Sequence, residues 1–350
     1  MRKIYVAACI VVLTGISACK KETVIKEEYN PSIPAYGLWR ITESPDIPDM
    51  QYLYFRTGKV CDIYSKDEFG FKSQESANFQ PSPDQVIIDF FLTGSSTIYN
   101  YSTKGDSLIL TKDGSVYLKG VKAQESDVAG WITEVSYSDQ ITGLYNGEYG
   151  GIGYDSDNNN ILVASYNNSQ VLTVNLTTKS LGTTVNLQGG IYPNTVEYCR
   201  YTQGPFMLLS NSGDNHVFAY DFQGALTAPV ALTGTWVSGI AVDAASVNNS
   251  ALYINGWGYS GGADSLYHFG TSGSPEIQAI GDGFSDLAWY NNRLYIARGN
   301  YIYRMSPSPM TVEKAYRFSK KSAVWGIAAT GNDDFWLNIE GNKLVKVSLK

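Results

Sequence analysis

The chain reads as an all-β protein in two units, a small barrel followed by a β-propeller. Three observations predict this. The 26 tyrosines, 7 tryptophans and 34 glycines, set against only 17% charged residues, favour strands joined by tight turns over helices. Short runs in which apolar and polar residues alternate, the period of a half-buried strand, are punctuated by Gly, Asn and Asp. One grouping of such runs, typified by Phe284 to Met305, recurs through the last two-thirds of the sequence.

With 350 residues, 43% of them hydrophobic, the chain can bury a sizeable core. Its formal charge is −7, and no Lys/Arg run is interleaved with aromatics. The positive field that phosphates require is missing, so nucleic acid is set aside as a partner.

Residues 1–18 have the pattern of a signal peptide. Arg2 and Lys3 precede an apolar stretch from Ile4 to Leu13, far shorter than the ~20 residues that cross a bilayer. The ending Ile16-Ser17-Ala18-Cys19 resembles the lipobox of bacterial lipoproteins. That resemblance implies cleavage before Cys19, diacylglycerol on its sulfur, and attachment to the membrane at the outer membrane or cell surface. An ordinary secretory signal with an incidental cysteine is the alternative. Residues 19–35 are charged at first and then broken by Pro31 and Pro34, which suits a solvated tether between lipid and fold. Beyond Cys9 and Cys19 only Cys61 and Cys199 remain, both inside apolar strand patterns. They are either small buried hydrophobes or the two ends of one bridge, and a disulfide framework is not what holds this fold.

Residues 36–122 form the first folded unit, with six or seven short strands and hairpin turns at Thr57-Gly58, Lys104-Gly105-Asp106 and Asp113-Gly114. Three features, Gly37-Leu38-Trp39, the hairpin from Leu53 to Val60, and the closing Y-x-Y-x-x-x-G-D-x-L-x-L from Tyr99 to Leu110, resemble the lipocalin-like domains of Bacteroides-type lipoproteins. In such barrels the tryptophan plugs one end, so Trp39 is expected in the core rather than against a ligand. A barrel this short is expected to be filled by its own side chains.

Residues 123–350 hold five units of matching order. An inner strand of small and apolar residues (around Ile152, Val196, Ile240, Leu287 and Ile327) is followed by a turn, a second strand, another turn and a third strand. Four of the units add a more polar fourth strand. A four-stranded unit repeating at roughly 40 to 47 residues is the signature of a propeller blade. The last unit ends at Lys350 without its fourth strand, and residues 131–138 offer a spare one that would close the ring. Five blades are expected. A six-bladed ring is the alternative, but it would need strands that the barrel already uses. The units resemble NHL and YVTN-type repeats in general form.

Propellers commonly present ligands at one mouth of the ring, on the loops that lead into the inner strands and those between second and third strands. Here these positions are rich in aromatics and amides. Tyr149, Asn194, Trp236, Trp257, Phe284, Asp286, Arg298 and Trp325 are the candidate ligand-binding residues, with Tyr192, Tyr166, Asn300 and Asn338 beside them. Aromatic faces next to amides suit a neutral polar ligand, a glycan or a protein segment. Asn, Asp and Gly are also simply the residues that tight turns require.

Signals of catalysis are sparse. His216 and His268 fall inside third strands, and neither a G-x-S-x-G nor an H-E-x-x-H motif is present, nor any cofactor motif. The run Asp155 to Asn160 echoes the start of a calcium loop, but it has Asn160 where glycine is needed and Tyr166 where glutamate is needed, so it reads as a turn. Glu148, Asn194, Glu197 and Asp286 resemble in placement the axial ligands of lactonase-type propellers. That likeness implies a metal-assisted hydrolase as the alternative to a non-enzymatic binding protein. A scaffold that only positions partners is the third reading.

Overall fold

The structure, a computed structural model, describes residues 35–90, 95–143, 149–201, 204–211, 215–231, 235–243, 252–258, 264–269, 275–281, 283–318 and 322–350. Eight antiparallel strands, from Gly37–Glu43 to Ser115–Lys122, close into a barrel, because the first pairs with both the second (Met50–Phe55) and the last. The strand that sequence reading passes over is Lys72–Pro81, in which only Ala77 and Phe79 are buried, too few for an alternating signal. The barrel interior is filled by Trp39, Phe55, Phe79, Tyr99 and their neighbours. Trp39 is a core residue, its indole N–H satisfied 2.8 Å away by the carbonyl of Ala35. Cys61 and Cys199 are both buried free thiols.

After a single 3-10 turn at Glu125–Val128, the chain enters a five-bladed propeller. Blades one to four begin with the inner strands Tyr149–Asp155, Pro193–Tyr201, Thr235–Val242 and Phe284–Tyr290, and each continues outward through three antiparallel strands. Blade five runs outward from Val324–Gly331 through Asp334–Ile339 to Lys343–Ser348. Apolar clusters lie between neighbouring blades all the way round. Ile152, Val163, Trp336 and Leu344, for example, join blades five and one, and Tyr295, Ile302, Phe335 and Val345 join blades four and five.

The ring closes by pairing an earlier strand with the last one, as the sequence suggests, but of residues 131–138 only Tyr137 and Ser138 take part. The outer strand of blade five is Tyr137–Thr142, with Tyr137 opposite Val347 and Ile141 opposite Leu344. Thr133–Val135 instead runs parallel to the outer strand of blade four, Met310–Phe318, and makes that sheet five-stranded. Burial decides the register: Ile141 enters the core between blades five and one, while Val135 enters the core between blades four and five. One short segment thus covers two sheet edges that would otherwise be open to strand addition. Trp131 takes no part in closure. It packs edge-on against Tyr52 and Tyr64 of the barrel, at 5.6 and 6.1 Å, and donates to the carbonyl of Ser73.

All five inner strands share a device that no expectation included. Each carries one extra residue against its partner strand near its N-terminal end, with register shifts at Tyr149/Ile152, Pro193/Val196, Val237/Gly239, Phe284/Asp286 and Val324/Gly326. A bulge bends its strand and re-aims the side chains beside it. Repeated five times at one end of the ring, it turns Asn194, Ser285 and Trp325 away from the regular ladder.

Candidate functional site

The axis is crowded. A Cβ added at Gly151 would stand 2.2 Å from Thr195 Oγ1 and 2.8 Å from Asp286 Cγ, so blades one, two and four meet there with no room for a side chain. Asp286 is fully buried. Its Oδ2 accepts from the backbone N–H groups of Ile152 in blade one and Ile327 in blade five, each at 3.0 Å, and its Oδ1 accepts from Thr195 Oγ1 in blade two at 2.8 Å. One carboxyl group from blade four therefore ties three other blades together. Burial pushes its pKa up to about 7, against the pull of those donors. Glu197 lies nearby on blade two. It keeps some accessible surface, but its carboxyl is enclosed by protein, and burial, reinforced by the charge of Asp286, holds its pKa well above the usual range.

This geometry assigns Asp286 a structural task. Both of its oxygens are in use, and freeing them for a metal ion or a substrate would unpair backbone N–H groups in two blades. Among the described residues no group of three or more His, Cys, Asp or Glu side chains is placed to hold a metal ion. Glu148 lies outside the described residues. Asp155 forms a turn: its Oδ1 accepts from the N–H groups of Asp157 and Asn158 at 3.1 and 3.2 Å. His268 stacks on Tyr253 at 4.4 Å inside its blade.

The remaining candidates divide into two places. Phe284 and Arg298 are opposite one another at the mouth end of blade four, and the barrel sits on them. Phe71, at the base of the barrel's Lys66 to Lys72 hairpin, inserts between Phe284 and Tyr303, both with ring centroids 4.8 Å away. Arg298 lies over the Phe284 ring and pairs with Asp67 of the same hairpin at 3.0 Å. Tyr301 both accepts from the N–H of Gln74 and donates to its carbonyl, and Tyr303 donates to the carbonyl of Lys72. These contacts are what fix the barrel on the ring. Sequence reading missed Asp67 and Phe71 as partners; the only signal was two phenylalanines, Phe69 and Phe71, in a turn.

Asn194, Trp236 and Trp325 remain at the open part of the mouth. Register places the inner-strand entrances and second-strand ends of all blades at this end: Tyr149 opposite Ser165, Pro193 opposite Asn211, Trp236 opposite Trp257, Val324 opposite Ile339. Trp325, the bulge residue of blade five, is 50% exposed, and Tyr192, just before blade two, is 51% exposed. Asn194 is half-buried and donates 3.3 Å to the carbonyl of Val237, which joins blades two and three beside Trp236. Asn338 does the same between blades five and one, donating 2.9 Å to the carbonyl of Gly150. The side chains of Tyr149 and Trp257 lie outside the described residues.

No protein-family model matches the chain, and no curated protein matches it in sequence. Among solved structures, it is similar to glutaminyl cyclase of Myxococcus xanthus, at 11% identity and a TM-score of 0.47, over 63% of this chain and 98% of that one. It is similar to the calcium-binding protein regucalcin of Agrobacterium tumefaciens, at 13% identity and a TM-score of 0.44, over 62% of this chain and 95% of that one. A PQQ-bound aldose sugar dehydrogenase of Streptomyces coelicolor follows at 12% identity and a TM-score of 0.41, over 62% and 98% of the two chains. Likenesses at this level assign no activity to this chain.

Proposed function

We propose that this protein is a non-enzymatic binding protein of the cell envelope, held to the membrane by lipid on Cys19, which takes a neutral polar ligand, a glycan or a protein segment, at the mouth of its propeller. The observation that carries the reading is the pair of large aromatic side chains, Trp325 and Tyr192, left about half exposed at one end of the ring. An exposed tryptophan on a bulge leaves apolar surface in water, which a ligand face would cover. Amides at the same end of the ring, Asn194 among them, supply directional partners for hydroxyl or peptide groups. The axial carboxyl group, occupied by backbone donors from two blades, favours recognition over hydrolysis.

The test is a glycan and peptide array read with the soluble chain from residue 20 and with its Trp325→Ala/Tyr192→Ala variant. Binding by the former and its loss in the latter supports the reading, whereas an identical array pattern for both refutes it. The anchor is tested separately. Cys19→Ala should abolish incorporation of a labelled fatty acid and release the protein from the membrane fraction, and continued membrane attachment would refute lipidation at that residue.

A further inference from the structure

Where the barrel rests on blade four, the two units enclose a cleft of about 340 Å³. One wall is the barrel, with Asp49, Ser65 and Ser73. The other is the second turn of blade four and the strand after it, with Asn300 and the partly exposed Tyr301, backed by the buried Tyr303. Its size falls at the small end of the range for small-molecule sites, about 300–1,000 Å³. We propose that this cleft, on the barrel-covered side of the mouth end and apart from Trp325 and Tyr192, is a second binding site for a neutral polyhydroxylated ligand the size of one or two sugar rings.

Some polar groups of the cleft are engaged within the fold and others are not. Arg298 is held by Asp67 and covers Phe284, so the strongest cation is already committed to the fold. The phenol groups of Tyr301 and Tyr303 are tied to the backbone of Gln74 and Lys72, which fixes their rings. By contrast, the side chains of Asp49, Ser65, Ser73 and Asn300 make no hydrogen bond to another described residue, although Ser65, Ser73 and Asn300 are only partly exposed. Together they offer one carboxylate, two hydroxyls and an amide, a mixture of acceptors and donors without a free positive charge. An immobile aromatic ring, that of Tyr301, beside such groups suits a molecule with an apolar C–H face and an edge of hydroxyls. A phosphate or carboxylate ligand would meet Asp49 with no unpaired cation to offset it. Both units contribute, so the cleft exists only while the barrel is docked.

The experiment is titration calorimetry of the intact soluble chain with glucose, galactose, mannose, N-acetylglucosamine, maltose and cellobiose. Wild-type protein, Asn300→Ala, Ser73→Ala and Trp325→Ala are compared, each checked by melting temperature. One or more sugars should bind, and Asn300→Ala or Ser73→Ala should weaken that binding about tenfold, the worth of a lost hydrogen bond to a bound ligand. Trp325→Ala should change it less than about twofold, whether or not the mouth binds anything. The inference is overturned if none of these sugars binds, if both cleft variants bind as wild type does, or if Trp325→Ala abolishes binding while the cleft variants retain it. That last result would place the sugar at the mouth.

Discussion

Replacing Asp286 with asparagine should remove the loss of stability with rising pH that this carboxyl group imposes at the propeller axis. In the folded protein this carboxyl group titrates at about 7, against an ordinary value of 3.8. Between those two values the folded state holds a proton that the unfolded state has released. The contribution of Asp286 to stability is therefore full below about pH 4, falls as pH rises through the folded pKa, and levels off above it. At about 1.4 kcal/mol per pH unit, the whole span is worth about 4 kcal/mol, of which about 3 kcal/mol falls between pH 5 and pH 8. Glu197 contributes in the same direction. Asparagine can keep the hydrogen bonds, its carbonyl accepting from Ile152 and Ile327 and its amide donating to Thr195, while removing the titration. Urea unfolding followed by tryptophan fluorescence suits the measurement, because Trp39 is the only tryptophan before residue 130 and the signal reports the propeller. The stability of Asp286→Asn relative to wild type should rise by about 3 kcal/mol from pH 5 to pH 8. Parallel pH profiles, or a wild type that gains on the variant as pH rises, would refute the reasoning and mean that the N–H donors outweigh burial.

Three further outcomes follow from the packing. Phe71→Ala removes the side chain that the barrel inserts between Phe284 and Tyr303, so it should cost about 3–5 kcal/mol of docking and open the linker around Trp131 to protease, with cleavage rate as the readout. Gly150→Ala places a Cβ 1.9 Å from the backbone oxygen of Asn194 in the next blade and should lower the melting temperature sharply, whereas Gly58→Ala, with nothing within 4 Å, should leave it unchanged. Arg298→Met breaks a half-buried ion pair that also covers Phe284. It should weaken docking by about 1 kcal/mol, less than Phe71→Ala does, and the same protease assay orders the two.

The blades were legible in the sequence because each is built from local, alternating strands whose order repeats, and repetition turns a weak signal into a strong one. Blade count and the filled barrel follow from that pattern and from the strand lengths. Ring closure was half legible. Residues 131–138 alternate as a closing strand should, yet the closing residues are Tyr137–Thr142, because Ile141 and Val135 must enter different inter-blade cores and only one of them can belong to blade five. The recurring bulges left a faint trace in the small residues at the inner-strand entrances, but register is a property of two strands and is invisible in either alone. Phe284 and Arg298 show the sharper limit. Their position in the blade was legible and their surroundings were not, since Asp67 and Phe71 lie more than two hundred residues away and no periodicity encodes which loop a second unit will cover. Asp286 was singled out correctly as axial, but whether an axial carboxyl group is free or consumed depends on Ile152, Thr195 and Ile327 arriving from three other blades.

Recognition at the mouth is tested most directly by hydroxyl-radical footprinting with whichever array glycan or peptide binds most tightly. With the ligand bound, oxidation of Trp325 and Tyr192 should fall several-fold, while Ile98 and Ile277, exposed on the barrel wall and on an outer strand, should be unaffected. Unchanged oxidation of Trp325 and Tyr192 at saturating ligand would contradict it.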